Sequence, residues 1–203
     1  RNGEASYATS DLGADVCALI AVLGYERAHL FGTSFGGIIA QEAALAEPSR
    51  IDRLVLSASW PGGAWPVTDA FYAVVRAEKT PDQAREYRKM FFSAGFAAAH
   101  PDEVEARMQK VMTTRTPEQQ ARRAASNVLH DDAPQRLPRI ANQTLALAGA
   151  DDRIVSPQFS ARLAELIPNA RLQVLEDLGH ATTIEDPARV AAAVRAFLLA
   201  PEA

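Results

Sequence analysis

A serine set among glycines, Gly32-Thr33-Ser34-Phe35-Gly36-Gly37, constrains this chain more than any other feature. It follows the apolar run Ala28-His29-Leu30-Phe31 and precedes Ile38-Ile39-Ala40. The first run reads as a strand; the stretch from Gly37 to Glu47, closed by Pro48, is compatible with a helix. Where a strand turns abruptly into a helix the two elements cross closely, so positions two before and two after the apex tolerate almost no side chain. Gly32 and Gly36 meet that need, and Ser34 is expected to stand exposed at the strand's end. Two phosphate-loop readings fail on the same residues. Counted from Gly32, a Walker loop needs lysine and then serine or threonine after its second glycine, whereas Ile38 and Ile39 follow Gly37. A dinucleotide fingerprint needs glycine where Ser34 stands.

A serine hydroxyl is a poor nucleophile at neutral pH, so it requires a histidine base and an acid to orient that base. Of the four histidines, His29 reads as a satisfied strand-end residue, and His100 and His130 as polar residues at helix boundaries. His180 differs: it follows Gly179 in a loop between a probable strand, Leu172 to Glu176, and a helix starting at Asp186-Pro187. It is the candidate base. The run Thr144 to Gly149 reads as a buried strand, and Asp151 and Asp152 lie directly beyond its carboxyl end. Either could be the acid on spacing alone.

Three ordered motifs, Gly32-Thr33-Ser34-Phe35-Gly36-Gly37, Gly149-Ala150-Asp151-Asp152-Arg153-Ile154-Val155 and Gly179-His180, make the chain resemble the α/β-hydrolase superfamily. The resemblance implies an α/β fold: a mostly parallel sheet flanked by helices, with an inserted helical cap and the first strands of the fold missing. In that family's pattern the acid stands three positions after the strand-terminal glycine, which selects Asp152. It implies Ser34 as nucleophile, His180 as base, Asp152 as orienting acid and the Phe35 backbone N–H as an oxyanion donor. Thr33, Trp60 and Val155, which flank these motifs, are the expected substrate contacts. A complete member has a further stretch before the elbow that carries a second oxyanion donor, and Arg1 to Ser6 looks like a worn loop of that family. The resemblance therefore implies an amino-terminally truncated chain, slower by about a hundredfold to a thousandfold for want of that donor. Its Arg27–Thr33 strand would then bare an edge.

Composition narrows the function classes. With 203 residues and 48% hydrophobic content the chain can bury a sizeable core. A formal net charge of -4 offers no basic field for nucleic acid or an anionic membrane. The arginines of Arg85-Glu86-Tyr87-Arg88-Lys89 and Arg122-Arg123 read as a solvated helix face. The single cysteine, Cys17, shares the helical stripe Leu12, Val16, Leu19, Ile20 and Leu23 and reads as a buried thiol. No metal-ligand cluster, cofactor motif or bilayer-length apolar run appears. A cytoplasmic protein acting on a small molecule without a cofactor is the expectation.

Punctuation divides the chain into residues 1–60, a first part of the core; 61–138, a helical cap; and 139–203, a second part of the core. Helices are expected over Tyr7–Leu23 and Phe35–Glu47, and strands over Arg27–Thr33 and Arg53–Ser57. The cap shows helix starts at Thr80-Pro81-Asp82-Gln83, His100-Pro101-Asp102-Glu103 and Thr116-Pro117-Glu118-Gln119, the first and third with capping-box spacing. Strand Thr144–Ala148, a helix from Ser156-Pro157 to Ile167, strand Leu172–Glu176 and a helix from Asp186-Pro187 to Leu199 complete the pattern. Trp60, Trp65, Phe71, Met90, Phe91, Phe92, Met108 and Met112 offer an apolar lining to the cap. The family resemblance points to the carboxylesterase and enol-lactonase-like branch. Haloperoxidase-like and carbon–carbon bond hydrolases share its triad, and some members of the fold bind ligands without catalysis.

Overall fold

Four parallel strands form the frame: β1 (Ala28–Thr33), β2 (Ile51–Ser57), β3 (Gln143–Gly149) and β4 (Ala170–Leu175), in the order β1-β2-β3-β4. The structure is a computed structural model that describes residues 8–62, 89–113 and 132–201. The two central strands are buried on both faces, which is why their sequences, Leu54-Val55-Leu56 and Leu145-Ala146-Leu147, are continuously apolar rather than alternating. Side chains still divide by parity. Leu54, Leu56 and Ala146 join Cys17, Ile20, Ala40, Ala43 and Leu163 on one face. Val55, Leu145 and Leu147 join Leu175, Val190, Ala193 and Phe197 on the other.

The helices are α1 (Thr9–Val22), α2 (Phe35–Ala46), α3 (Ala94–Ala99), α4 (Pro101–Thr113), α5 (Ala133–Arg136), α6 (Pro157–Leu166), α7 (Thr182–Glu185) and α8 (Pro187–Leu198). Between β2 and β3 the described residues hold helices and no strand, and α4 starts at Pro101 as its sequence predicts. The helix starts at Thr80 and Thr116, the residues Trp65, Phe71 and His130, and the Arg1–Ser6 segment lie outside the described residues. No described helix is long and apolar enough to cross a membrane.

All four strands differ slightly from the bounds the sequence predicts, β2 and β4 most, each starting two residues earlier because pairing rather than hydropathy sets the boundary. β2 begins at Ile51, opposite Ala28, and β4 begins at Ala170, opposite Thr144. His29 lies within β1, where the register shifts between Ala28 and Leu30. Its Nδ1 accepts the Arg53 backbone N–H at 3.3 Å, so a side chain replaces a carbonyl in the ladder.

α1 also packs differently from its predicted stripe. Its buried residues are Thr9, Gly13, Cys17 and Ile20, whereas Leu19 and Leu23 are 56% and 61% exposed. Small residues on α1 face Ala40, Ala43 and Ala44 of α2, and this close approach turns the larger leucines outward. Cys17 is fully buried and its thiol donates to the Ala43 carbonyl at 3.6 Å. Burial pushes the Cys17 pKa up, with Glu47 adding to the rise and Arg50 opposing it, so the thiol stays neutral.

Beside this contact sits a buried ion pair. Glu42 of α2 is 2% exposed, and the Arg136 guanidinium donates to its two oxygens at 2.7 and 2.8 Å while the Thr9 hydroxyl donates at 3.3 Å. The bonded carboxylate raises the Arg136 pKa, so the guanidinium stays charged. The cluster joins α1, α2 and the turn that leads into β3. Removing the guanidinium strands a buried carboxylate, so Arg136→Met should cost about 3 kcal/mol in urea unfolding. Cys17 should give no reaction with a disulfide-exchange reagent until the protein is denatured, when one equivalent should react.

Candidate active site

Ser34 occupies a left-handed backbone conformation, φ 55° and ψ -122°, between the end of β1 and the start of α2. Such a conformation costs a non-glycine residue about 1–3 kcal/mol and persists only where the surroundings enforce it. Here the Ser34 N–H donates to the Ser57 carbonyl of β2 at 2.8 Å, and the Ser34 carbonyl accepts from Gly37 N–H at 2.9 Å. The corner is pinned to the neighbouring strand on one side and to its own helix on the other.

The glycines that make this corner possible are not the expected pair. A Cβ on Gly32 would lie 2.7 Å from the Gly37 Cα, and one on Gly37 would lie 2.5 Å from the Ser59 Cβ. A Cβ on Gly36 would meet no described atom within 4 Å. Strand and helix therefore cross at Gly32 and Gly37, one residue beyond the spacing read from the sequence, because the first turn of α2 directs position 37 back toward the end of β2.

The two other candidate groups converge on this corner from the carboxyl ends of β3 and β4. Asp152 is 5% exposed; its Oδ1 accepts the N–H groups of Ile154 and Val155, both at 2.8 Å, which leaves Oδ2 aimed at the His180 ring. Oδ2 lies 2.8 Å from His180 Nδ1, and His180 Nε2 lies 3.0 Å from Ser34 Oγ. Asp151 is exposed, and its backbone N–H bonds the Leu178 carbonyl at 2.9 Å, tying the acid's loop to the histidine's loop. Ser34, His180 and Asp152 are thus brought together in one hydrogen-bonded line.

The remaining predicted positions lie around this line. Phe35 opens α2 directly after Ser34, and Thr33 closes β1, half-buried. Trp60 and Val155 are 2% and 1% exposed and pack with Ile38, Ile154 and Phe159, with Phe35, Met90 and Phe91 against them. Val155 also orients the acid through its N–H, a role its side chain does not announce. The other described histidines are elsewhere: His29 in the β1 ladder, and His100 at the carboxyl end of α3, its ring tilted against Phe96 with 4.6 Å between centroids. Among the described residues no three His, Cys, Asp or Glu side chains gather to hold a metal ion.

Several supporting residues are invisible to motif reading. The Ser57 and Thr182 hydroxyls, both buried, are 3.4 Å apart and join β2 to the helix after His180. The Phe91 ring meets the His180 ring edge-on, 5.3 Å between centroids at 78°.

A strand-turn-helix serine, an acid after a later strand and a histidine in the loop after the last define a hydrolase-like site on a parallel α/β sheet. Residues 1–187 match the alpha/beta hydrolase fold family, and the chain belongs to that family. A 2-hydroxymuconate semialdehyde hydrolase of Pseudomonas putida is 32% identical over 192 residues, covering 91% of this chain and 67% of its own. RutD of Stutzerimonas stutzeri (strain A1501), named provisionally as a carbamate hydrolase, is 28% identical over 189 residues, covering 91% of this chain and 71% of its own. Among solved structures, a hydrolase from Pseudomonas aeruginosa PA01 aligns with a TM-score of 0.75 at 31% identity, over 97% of this chain and 74% of that one.

The corner geometry separates two glycines that look equivalent in sequence. Gly32→Ala should destabilise the fold by about 2 kcal/mol or more, since backbone must move. Gly36→Ala should be neutral or stabilising by about 0.5 kcal/mol, as expected for alanine in an open helical position. Thermal unfolding of the two variants checks this.

Proposed function

We propose that this protein is a serine hydrolase that cleaves a carboxylic ester or lactone of a small organic substrate through an acyl-enzyme. The observation that carries the reading is the line Ser34 Oγ to His180 Nε2, 3.0 Å, and His180 Nδ1 to Asp152 Oδ2, 2.8 Å. His180 takes the hydroxyl proton as Ser34 Oγ attacks the carbonyl carbon. Asp152 holds the ring with Nδ1 protonated and stabilises the imidazolium that forms. The imidazolium then protonates the leaving alcohol, and the same ring activates water to release the acid. The Phe35 N–H, at the positive end of the α2 dipole, stabilises the oxyanion. Thr33, half-buried beside Ser34, flanks the acyl group, and Trp60 and Val155 back that wall from within the apolar cluster beneath it, an apolar setting that favours a small organic substrate over a charged one.

A second reading has an observation of its own. The relative that is 32% identical is named for hydrolysis of 2-hydroxymuconate semialdehyde, which favours attack on a carbon–carbon bond next to a carbonyl by the same triad. Substrate preference separates the two: nitrophenyl acetate and small lactones on one side, a meta-cleavage dienoate on the other. Nitrophenyl acetate hydrolysis should fall to background in Ser34→Ala, and Asp152→Asn should lose about ten-thousandfold in kcat through the wrong tautomer. Wild-type turnover in Ser34→Ala would contradict the proposal. A kcat/KM at least about tenfold higher on the dienoate than on any ester or lactone would replace it with the second reading.

A further inference from the structure

We propose that Glu185 is a positioning residue for His180, holding the loop that carries the imidazole against the strap Lys89–Ser93; this rests on the reading of His180 as the base. Glu185 closes α7 and is half-buried. Its Oε1 accepts the Gly179 N–H at 3.0 Å and its Oε2 accepts the Ser93 N–H at 3.1 Å. On the other side of the histidine, the Ala181 N–H donates to the Phe91 carbonyl at 2.8 Å. Both neighbours of His180 in the chain are therefore bonded to the strap, directly or through one carboxylate, and the Phe91 ring lies against the imidazole between them.

The strap is held from the acid's side as well. Arg153, next to Asp152, donates to the carbonyls of Phe92 at 3.1 Å and Lys89 at 3.3 Å. One short segment thus touches the loops of both groups whose distance decides proton transfer. The contact is intimate: a Cβ on Gly179 would fall 2.6 Å from the Phe92 carbonyl carbon. Two acceptor oxygens suit Glu185's position, and an amide does not. Two backbone N–H groups converge on its two oxygens, and an amide would satisfy one and turn its own N–H₂ toward the other. The competing account is that the apolar cluster of Phe92, Val104, Phe96 and Ile184 holds the strap unaided, with Glu185 merely tidying a turn.

Glu185→Gln distinguishes them. The proposal expects kcat on nitrophenyl acetate to fall about ten- to hundredfold with KM changed less than about twofold, since a misplaced base slows chemistry without touching substrate. It also expects the far-downfield His180 Nδ1 proton signal to broaden or split, and Glu185→Asp, which keeps the two oxygens, to recover part of kcat and of the signal. A Glu185→Gln protein with the wild-type proton signal overturns the proposal, whatever its rate. If Glu185→Gln does not fold, Glu185→Ala, which leaves the Gly179 and Ser93 N–H groups without the bridging carboxylate, decides: a wild-type signal there overturns the proposal, and a broadened or split one supports it. Should Ser34→Ala keep wild-type turnover, the hydrolase reading falls, and the His180 signal in Glu185→Gln alone decides the positioning claim.

Discussion

The site depends on a backbone constraint: Ser34 is held at φ 55° because its N–H is bonded to Ser57 of the adjacent strand and its carbonyl to the first turn of α2. A serine with ordinary strand or helix dihedrals at that point would lie along the sheet or the helix flank. The strained corner lifts it off the carboxyl edge, where the loops after β3 and β4 also end. Parallel strands make that edge common ground, since every strand delivers its following loop to the same end. The loops that carry Asp152 and His180 are then tied together by short backbone bonds, Asp151 to Leu178 and Ala150 to Leu175, before any side chain is considered.

The opposite end of the strands carries charge in a purely supporting role. Arg53, 8% exposed in β2, donates to the carbonyls of Phe197 in the last turn of α8 and of Ala200 just beyond it, adding donors where the helix runs out of its own. The Phe197 ring has two guanidinium groups over it, Arg53 at 5.7 Å and Arg171 at 5.0 Å from its centroid. With the Glu42–Arg136 pair under α1, these contacts fix the layers, so that the reactive edge is left to loops with other work to do.

What could be read from the chain follows from how local each constraint is. The elbow, the acid and the histidine are legible because each is announced by its neighbours: glycines at a strand end, an apolar run before an aspartate, a glycine before a histidine. The strand cores were legible for the same reason. The roles of Gly36 and Gly37 were not separable, since only the crossing of α2 over β2 decides which Cβ meets Ser59. The face of α1 is not legible from hydropathy, which favours leucines inward, whereas the close helix-on-helix approach selects Gly13 and Cys17. The contacts of Glu185 with Ser93 and of Ser57 with Thr182 carry no local mark, since these partners lie 92 and 125 residues apart.

The most direct test of the central claim is peptide mapping of the protein after reaction with a fluorophosphonate. The account predicts one adduct, on the peptide containing Ser34, absent when His180 is replaced by alanine. An adduct on another serine, or labelling of Ser34 that is indifferent to His180, would contradict it.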